Sequence, residues 1–431
     1  MSEEKSSELH KFYAKNLEER LSILKEFSGL SEEELNELRN YGSLDFEKAN
    51  RMIGNVIGSI QFPLGIATNF MINGKDYLIP MAIEEPSVIA AASKAAGIAR
   101  KAGGFKAESK ESIMIGQIQL KGIKDFSKAK KEILKKKKEL LEKVNSIDKV
   151  LIEAGGGARE IEVREIGKGK KKFLVIHLLV DVRDAMGANT INSMCEKIAP
   201  EIEEISNGKA GLRILSNLAV HRTVKARAVF TKKALEESFK GQGKGGEIIK
   251  GIIDAAEFAE ADAFRACTHN KGIMNGVDAV AVATGNDFRA IEAAVHAFSC
   301  WKNKGYKPLS KYYKDKKEDL VGEIELPLAL GIVGGATKTN PVAGISLKIL
   351  GVKSARELAE VIACVGLANN FAALRALATE GIQKGHMKLH AKNIAIMAGA
   401  NGKEVERVAE KMVKEKDVSV GKAKEIMNES G

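Results

Sequence analysis

Cysteine is scarce and scattered: four residues, Cys195, Cys267, Cys300 and Cys364, in a chain of 431. No C-x-x-C pair occurs, which argues against a zinc knuckle or a disulfide framework and reads as reduced thiols. Aromatic residues are only 5% and do not interleave with the basic runs, so stacking platforms for single-stranded nucleic acid find little support. No apolar run approaches the ~20 residues that cross a bilayer. The longest strand-like one, FLVIHLLV (173–180), is broken by His177. The opening residues, MSEEKSSELHKF, are charged and lack the apolar stretch of a secretory signal. The expectation is a cytoplasmic protein without a membrane partner.

What is present is enough for a sizeable core. Hydrophobic residues make up 44%, and the length suits two or three domains. The net charge is +11, from 68 basic and 57 acidic residues. Such an excess fits nucleic acid, or a polyanionic small substrate such as a CoA ester or a dinucleotide. Much of it is local, in KAKKEILKKKKELLEK (128–143) and GKGKKK (167–172). The first run has apolar residues at 133, 134, 140 and 141, the pattern of one buried stripe on a lysine-coated helix.

Residues 1–40 read as short helices, with a capping box at Ser31 and Glu34. Residues 48–83 are β-rich. PSVIAAASKAAGIARKAGG (86–104) reads as a helix with Pro86 in its first position and an alanine face for close packing. From about 111 to 221 the order is strand, lysine-rich helix (127–146), two strands, helix (191–206), strand. That order predicts a small antiparallel α+β domain inserted in a larger mixed helical/β domain formed by 1–110 and 222–379. After 222 the chain reads as alanine- and glycine-rich helices and loops, and 380–431 as a charged helical flap with a break at 401–404. The fold class is therefore α+β.

Most glycine-rich stretches lead nowhere. GQGKGG (241–246) fits G-x-G-x-x-G, but polar, helix-like KKALEESFK precedes it where a buried strand is required. GGG (155–157) and GGATKT (334–339) lack P-loop spacing. DVRDAMGANTIN (181–192) is better placed, between the strand FLVIHLLV and a helix. Gly187 permits close backbone approach there, Asn189 can cap the helix, and the joint would offer N–H groups to an anion. Four further stretches hold ionisable residues beside Gly, Asn or Pro: EEPS (84–87), THNKG (268–272), GNDF (285–288) and EGIQKGHMKLH (380–390). THNKGIMNG reads as a polar loop around Lys271. His386 and His390 are spaced i, i+4 but lack the further ligands of a zinc site, so no metal is expected. An acid, a lysine, an aspartate and a histidine are what carbonyl reduction needs: proton donor, carbonyl-polarising cation, orienting carboxylate, and acid for a leaving thiolate.

Taken together, EEPSVIAAAS, DAMGANT, RACTHNKGIMNG, ATGNDFRA, GGATKT and ATEGIQKGHMKLHA resemble the 3-hydroxy-3-methylglutaryl-CoA reductases in their membrane-free class II form, in the family's order from about residue 29 onward. The resemblance implies reduction of the acyl-CoA thioester to mevalonate and CoA with two hydrides from a nicotinamide cofactor, or the reverse. On matching positions it makes Glu85 the proton donor and Lys271 the carbonyl-polarising cation. Asp287 would bridge and tune the two, contacting Lys271, and His386 would protonate the CoA thiolate. Ser87, Arg265, Asn275 and Asn370 would bind the hydroxymethylglutaryl group. Asp184, Met186, Gly187, Asn189 and Asn217 would contact the dinucleotide in a small, non-Rossmann domain. The family also implies a homodimer or a multiple of it, with active sites at the interface and a C-terminal closing flap.

Asp148 matches a position where NAD-using class II members carry an aspartate. A carboxylate accepts from a ribose 2′-OH and repels a 2′-phosphate, which favours NAD(H) and leaves NADP(H) as the alternative. Two positions depart from the family: GNVIG (54–58) stands where ENVIG is common, and Asn369 where glutamine is common. Competing readings are another CoA-dependent oxidoreductase acting on a related thioester and a basic nucleic-acid-binding protein. The latter leaves the ionisable motifs unexplained.

Overall fold

A computed structural model describes residues 5–41, 44–169, 171–239, 244–335, 339–379 and 382–429. Helices α1 (Leu17–Ser28) and α2 (Glu32–Arg39) both open on complete capping boxes, Asn16 with Glu19 and Ser31 with Glu34. After α3 (Phe46–Met52), residues 53–63 have no regular structure and leave Ile53, Ile57, Ile60 and Phe62 exposed. Strands β1 (Leu64–Ile72) and β2 (Lys75–Ala82) form a hairpin. Helix α4 (Val88–Arg100) starts two residues later than Pro86 predicts, and buries Ala92, Ala95, Ala96 and Ala99. Strand β3 (Phe105–Ser109) closes this part of the chain.

A second unit follows: β4 (Ile113–Lys121), α5 (Phe126–Lys135), α6 (Lys137–Asn145), α7 (Lys149–Glu153), β5 (Gly157–Lys168), β6 (Lys171–Asp181), α8 (Ala188–Ser206) and β7 (Lys209–Ser216). Its sheet is antiparallel throughout, in the order β5-β6-β4-β7. Alternation explains the packing: Met114, Ile118 and Leu120 of β4 and Leu174, Ile176, Leu178 and Val180 of β6 face the helices and are buried. The single lysine-rich helix expected over 127–146 is two, broken at Lys136. Ile133, Leu140 and Val144 supply its buried stripe. Lys137 and Lys143 pair with Glu160 and Glu201, so part of the basic run is neutralised at the surface.

The chain then returns to the first sheet with β8 (Thr223–Phe230), α9 (Lys232–Ser238), α10 (Gly245–Ala261), α11 (Ala263–Ala283), α12 (Phe288–Lys302), β9 (Ser310–Lys314), β10 (Leu320–Pro327), α13 (Pro341–Leu350) and α14 (Ala355–Leu377). The sheet order is β2-β1-β3-β8-β10-β9, with only β1 and β3 parallel. Three of these strands fall where the sequence reads as helix and loop. Helix α14 is long and apolar enough to cross a membrane, but 78% of its apolar window is buried, and it serves as the central core helix against α11 and α4. Helices α15 (Ile382–Met397), α16 (Lys403–Glu415) and α17 (Val420–Asn428) share a small core of their own around Ala395, Val408, Met412 and Ile426.

Candidate active site

The joint between β6 and α8 is built for close approach. Gly187 is the N-cap of α8 with φ +99°, and a Cβ there would meet the Val182 side chain at 2.5 Å. Asn189 lies inside the first turn and does not cap the helix: no side chain caps α8. Its leading N–H groups and positive dipole end are therefore available to an anion. The residues expected around a dinucleotide converge here. Asp148 caps α7 by accepting from the Leu151 amide at 2.9 Å, and its other oxygen accepts from the Thr190 hydroxyl at 3.3 Å. Asn192 accepts from the Leu215 amide, which brings the end of β7, and exposed Asn217 beyond it, to the same helix. Beside Asp148 an open hollow of about 560 Å³ is lined by Ser146, Ile147, Ser193, Glu196 and Lys197. These features fit an anionic ligand such as a dinucleotide.

The joint is fastened to the larger unit. The Asp184 carboxylate accepts from the Ala355 amide at the start of α14 (2.8 Å), and its carbonyl accepts from the Ile332 amide (2.9 Å). The Gly331 amide donates to the Asn286 side chain at 2.8 Å. The joint therefore lies, within one chain, beside the residue preceding Asp287.

Lys271 is not in a loop. It lies mid-way along α11, which Asp262 caps by accepting from the Arg265 amide at 2.9 Å. The helix is hidden in the sequence because polar His269 and Asn270 sit in its buried stripe, among Ala266, Ile273, Val277 and Val280. Asn270 is held on both sides of its carboxamide, donating to the Lys307 carbonyl and accepting from the Leu309 amide. The 3.6-residue period then turns Lys271 and Asn275 together onto the opposite face, with Arg265 about one and a half turns earlier on the flank of the buried stripe. Burial lowers the Arg265 pKa from its ordinary value. No ion pair or hydrogen bond engages the Lys271 ammonium among the described residues.

The expected contacts from Lys271 to Asp287 and Glu85 are absent within this chain. Asp287 caps α12 and pairs with Arg289 at 3.1 Å. Glu85 is half-buried and accepts from the Ser87 hydroxyl at 2.8 Å. Asn370, expected to touch substrate, is buried; its carboxamide oxygen accepts from Ser310 (2.7 Å) and Tyr312 (2.9 Å). Asn369 is buried beside it, so the departure from glutamine is an interior one. His386 belongs to α15, but its side chain is outside the described residues, as are residues 336–338 of GGATKT and 241–243 of GQGKGG. His390 is exposed. No group of three or more metal-ligating side chains occurs among the described residues.

His269, next but one to Lys271, ends a buried polar chain. Its Nε2 lies 2.6 Å from the Ser310 hydroxyl, which spends its proton on Asn370, so Nε2 carries the hydrogen. Its Nδ1 is buried without a partner among the described residues. Burial, with Arg265 nearby, lowers its pKa to about 4. A neutral imidazole buried on the face of α11 away from Lys271 is part of the packing and not an acid.

Residues 16–391 match the family model of hydroxymethylglutaryl-coenzyme A reductase. The chain belongs to that family. The 3-hydroxy-3-methylglutaryl-coenzyme A reductase of Archaeoglobus fulgidus is 56% identical over 422 residues, covering 98% of this chain and 94% of its own. Among solved structures, the class II reductase of Streptococcus pneumoniae bound to NADPH in open conformations superposes with a TM-score of 0.80 at 41% identity, covering 96% of this chain and 99% of that one. Another structure from the same organism gives 0.83 at 40% identity. The fold is that of the class II hydroxymethylglutaryl-coenzyme A reductases, α+β with two sheets.

Arg222 and Asn286 escaped the sequence reading. A lone arginine in HRT (221–223) looks like surface, and Asn286 looks like the usual turn residue beside a glycine. Only the folded chain reveals that both hold the backbone around the joint.

Proposed function

We propose that this chain reduces 3-hydroxy-3-methylglutaryl-CoA to mevalonate and CoA, a nicotinamide dinucleotide supplying the hydrides. The observation that carries the reading is the outward face of α11 on which Lys271 and Asn275 stand, with Arg265 on its flank and the ammonium unengaged among the described residues. Arg265 suits the substrate's terminal carboxylate, which a guanidinium grips bidentately. Lys271 would polarise the carbonyl oxygen and stabilise the alkoxide. Glu85, oriented by Ser87, would hold the proton the alkoxide takes up. His386 would protonate the departing thiolate, carried in by the helical segment 380–431, whose separate core suits motion as a body.

The site is completed between two copies. Lys271, mid-way along α11, and Asp287, the cap of α12, make no contact within one chain, and 53–63 offers exposed apolar side chains for association. In this reading the α11 face of one copy, in the unit formed by 1–110 and 222–379, receives Asp287 and the dinucleotide-binding unit 111–221 of another. Gly187, Asn189, Asp184, Met186 and Asn217 would surround the dinucleotide. NADH is the favoured form, because the Asp148 carboxylate stands at the first turn of α8 where a ribose would lie, with Glu196 lining the hollow beside it. The expected location is the cytoplasm. An absorbance assay at 340 nm with a panel of CoA thioesters tests the reading: oxidation of the cofactor should depend on the hydroxymethylglutaryl ester. Equal rates with related acyl thioesters would favour a different CoA-dependent oxidoreductase.

A further inference from the structure

The carbonyl groups of the β6–α8 joint converge on one buried side chain. Arg222, just before β8, is 5% exposed, and its guanidinium donates to the carbonyl oxygens of Ala185 (3.1 Å), Met186 (3.3 Å) and Arg183 (3.4 Å). On its other side it donates to the Leu330 carbonyl at 2.5 Å. Its own carbonyl accepts from the Leu328 amide, so the segment 328–332 is gripped by both backbone and side chain. No carboxylate lies within ion-pair distance among the described residues. Burial lowers its pKa to about 10, opposed by the more distant charges of Asp181 and Asp184. Desolvating a cation for neutral acceptors alone is expensive. What it secures is geometric: a planar five-donor fork can hold several carbonyls from two segments at once, and an ammonium cannot.

Gly331 packs against the backbone of the same joint. A Cβ there would lie 2.9 Å from the Met186 amide nitrogen and 3.4 Å from the Asp184 carbonyl oxygen, both backbone atoms that cannot swing aside. Its amide is the one bound to Asn286, the neighbour of Asp287. Arg222 pulls the joint onto the 328–332 segment, and the bare backbone at Gly331 sets how close it comes.

We propose that Arg222 and Gly331 form a clamp that fixes the distance between the dinucleotide-binding joint and Asp287. Both are positioning residues, acting through the backbone they hold. The inference rests on the assignment of 184–189 as the dinucleotide segment. It adds that hydride transfer depends on a spacing set in cis at this seam.

The test uses the full-length protein and two independent lesions. R222K keeps the charge but not the fork; G331A keeps Arg222 and pushes the joint away. Dinucleotide binding is measured by calorimetry without thioester, turnover by steady-state kinetics, and the folded state by thermal melting. The expected result is that each variant stays folded, weakens dinucleotide binding by on the order of 10-fold, lowers kcat, and raises the deuterium isotope effect on kcat with cofactor labelled at the transferred hydrogen, because ~1 Å of misplacement can cost about 100-fold in rate. The KM for hydroxymethylglutaryl-CoA should change little. Variants that bind dinucleotide as tightly as the parent, with an unchanged isotope effect, would overturn the clamp. So would a fall in melting temperature with all kinetic constants lowered alike. A parent that binds dinucleotide but does not oxidise it with this thioester would sink the proposed function, and the clamp would still be judged on binding.

Discussion

Lys271 and Asp287 ride on consecutive helices and do not touch. Lys271 lies twelve residues before the end of α11 at Ala283, about 18 Å of helical rise. Asn286 donates its amide to the Ala281 carbonyl, which keeps Asp287 at that far end, where it pairs with Arg289. If both act on one carbonyl, they come from different copies. Mixing inactive K271A and D287A proteins under conditions that exchange subunits should then restore roughly a quarter of parent activity in a dimer, since half the molecules are hybrids and each has one intact site. No recovery after verified exchange would place both residues in the same chain's site.

Asp287→Asn preserves the α12 cap, because the amide oxygen can still accept from the Arg289 and Ala290 amides. It removes the charge that would hold Lys271 and tune Glu85. The variant should lose on the order of 100-fold in kcat, within the range for such groups, while the KM for the CoA ester stays within about three-fold. An unchanged kcat would remove Asp287 from the mechanism.

The Asp148 carboxylate is the handle on cofactor choice. Asp148→Ser should still cap α7 and take away the repulsion toward a 2′-phosphate, with Lys197 lining the hollow alongside. The ratio of kcat/KM for NADPH over NADH should rise about 10-fold or more, equivalent to roughly 1.4 kcal/mol. A parent enzyme that already prefers NADPH would contradict the NADH assignment. A ratio unmoved by the substitution would show that Asp148 is not the discriminator.

His269 predicts an acid-labile fold. Its folded pKa of about 4 lies below the ordinary 6.5, so the unfolded chain takes up this proton first. The neutral imidazole's contribution is complete above about pH 6.5 and is lost as the pH falls toward 4. The loss is on the order of 3 kcal/mol at full titration. Urea unfolding at pH 7.5 and 4.5 should show a larger acid loss for the parent than for His269→Gln. Parallel losses in the two proteins would mean that the imidazole is not buried neutral.

Much of this molecule was legible before it was folded. The inserted antiparallel unit declared itself through alternation, as in IMIGQIQL against FLVIHLLV, whose partners Gln117 and His177 sit opposite each other as the pattern requires. The joint 184–189 was legible because a glycine stood between a buried strand and an amphipathic helix. Helix α11 was not, because His269 and Asn270 hold buried positions that only Ser310, Asn370 and the 307–309 backbone make affordable. β8 and β10 were missed because their alanines, glycine and charges match no strong β preference; pairing with each other and with β3 and β9 decides them. Asn370 was expected at the substrate from the family resemblance alone; its burial and its bonds to Ser310 and Tyr312 could not be read from the sequence, because nothing there distinguishes an inward amide from an outward one.

The measurement that bears most directly on the central claim is the stoichiometry of a complete reaction. Limiting hydroxymethylglutaryl-CoA is incubated with excess NADH, while cofactor oxidation, free thiol and mevalonate are quantified together, for the parent and for Lys271→Ala. The account predicts two cofactor molecules oxidised and one thiol released per thioester, one mevalonate formed, and none of this with Lys271→Ala. No thioester-dependent oxidation in the parent with either cofactor, or full turnover without the Lys271 ammonium, would contradict it.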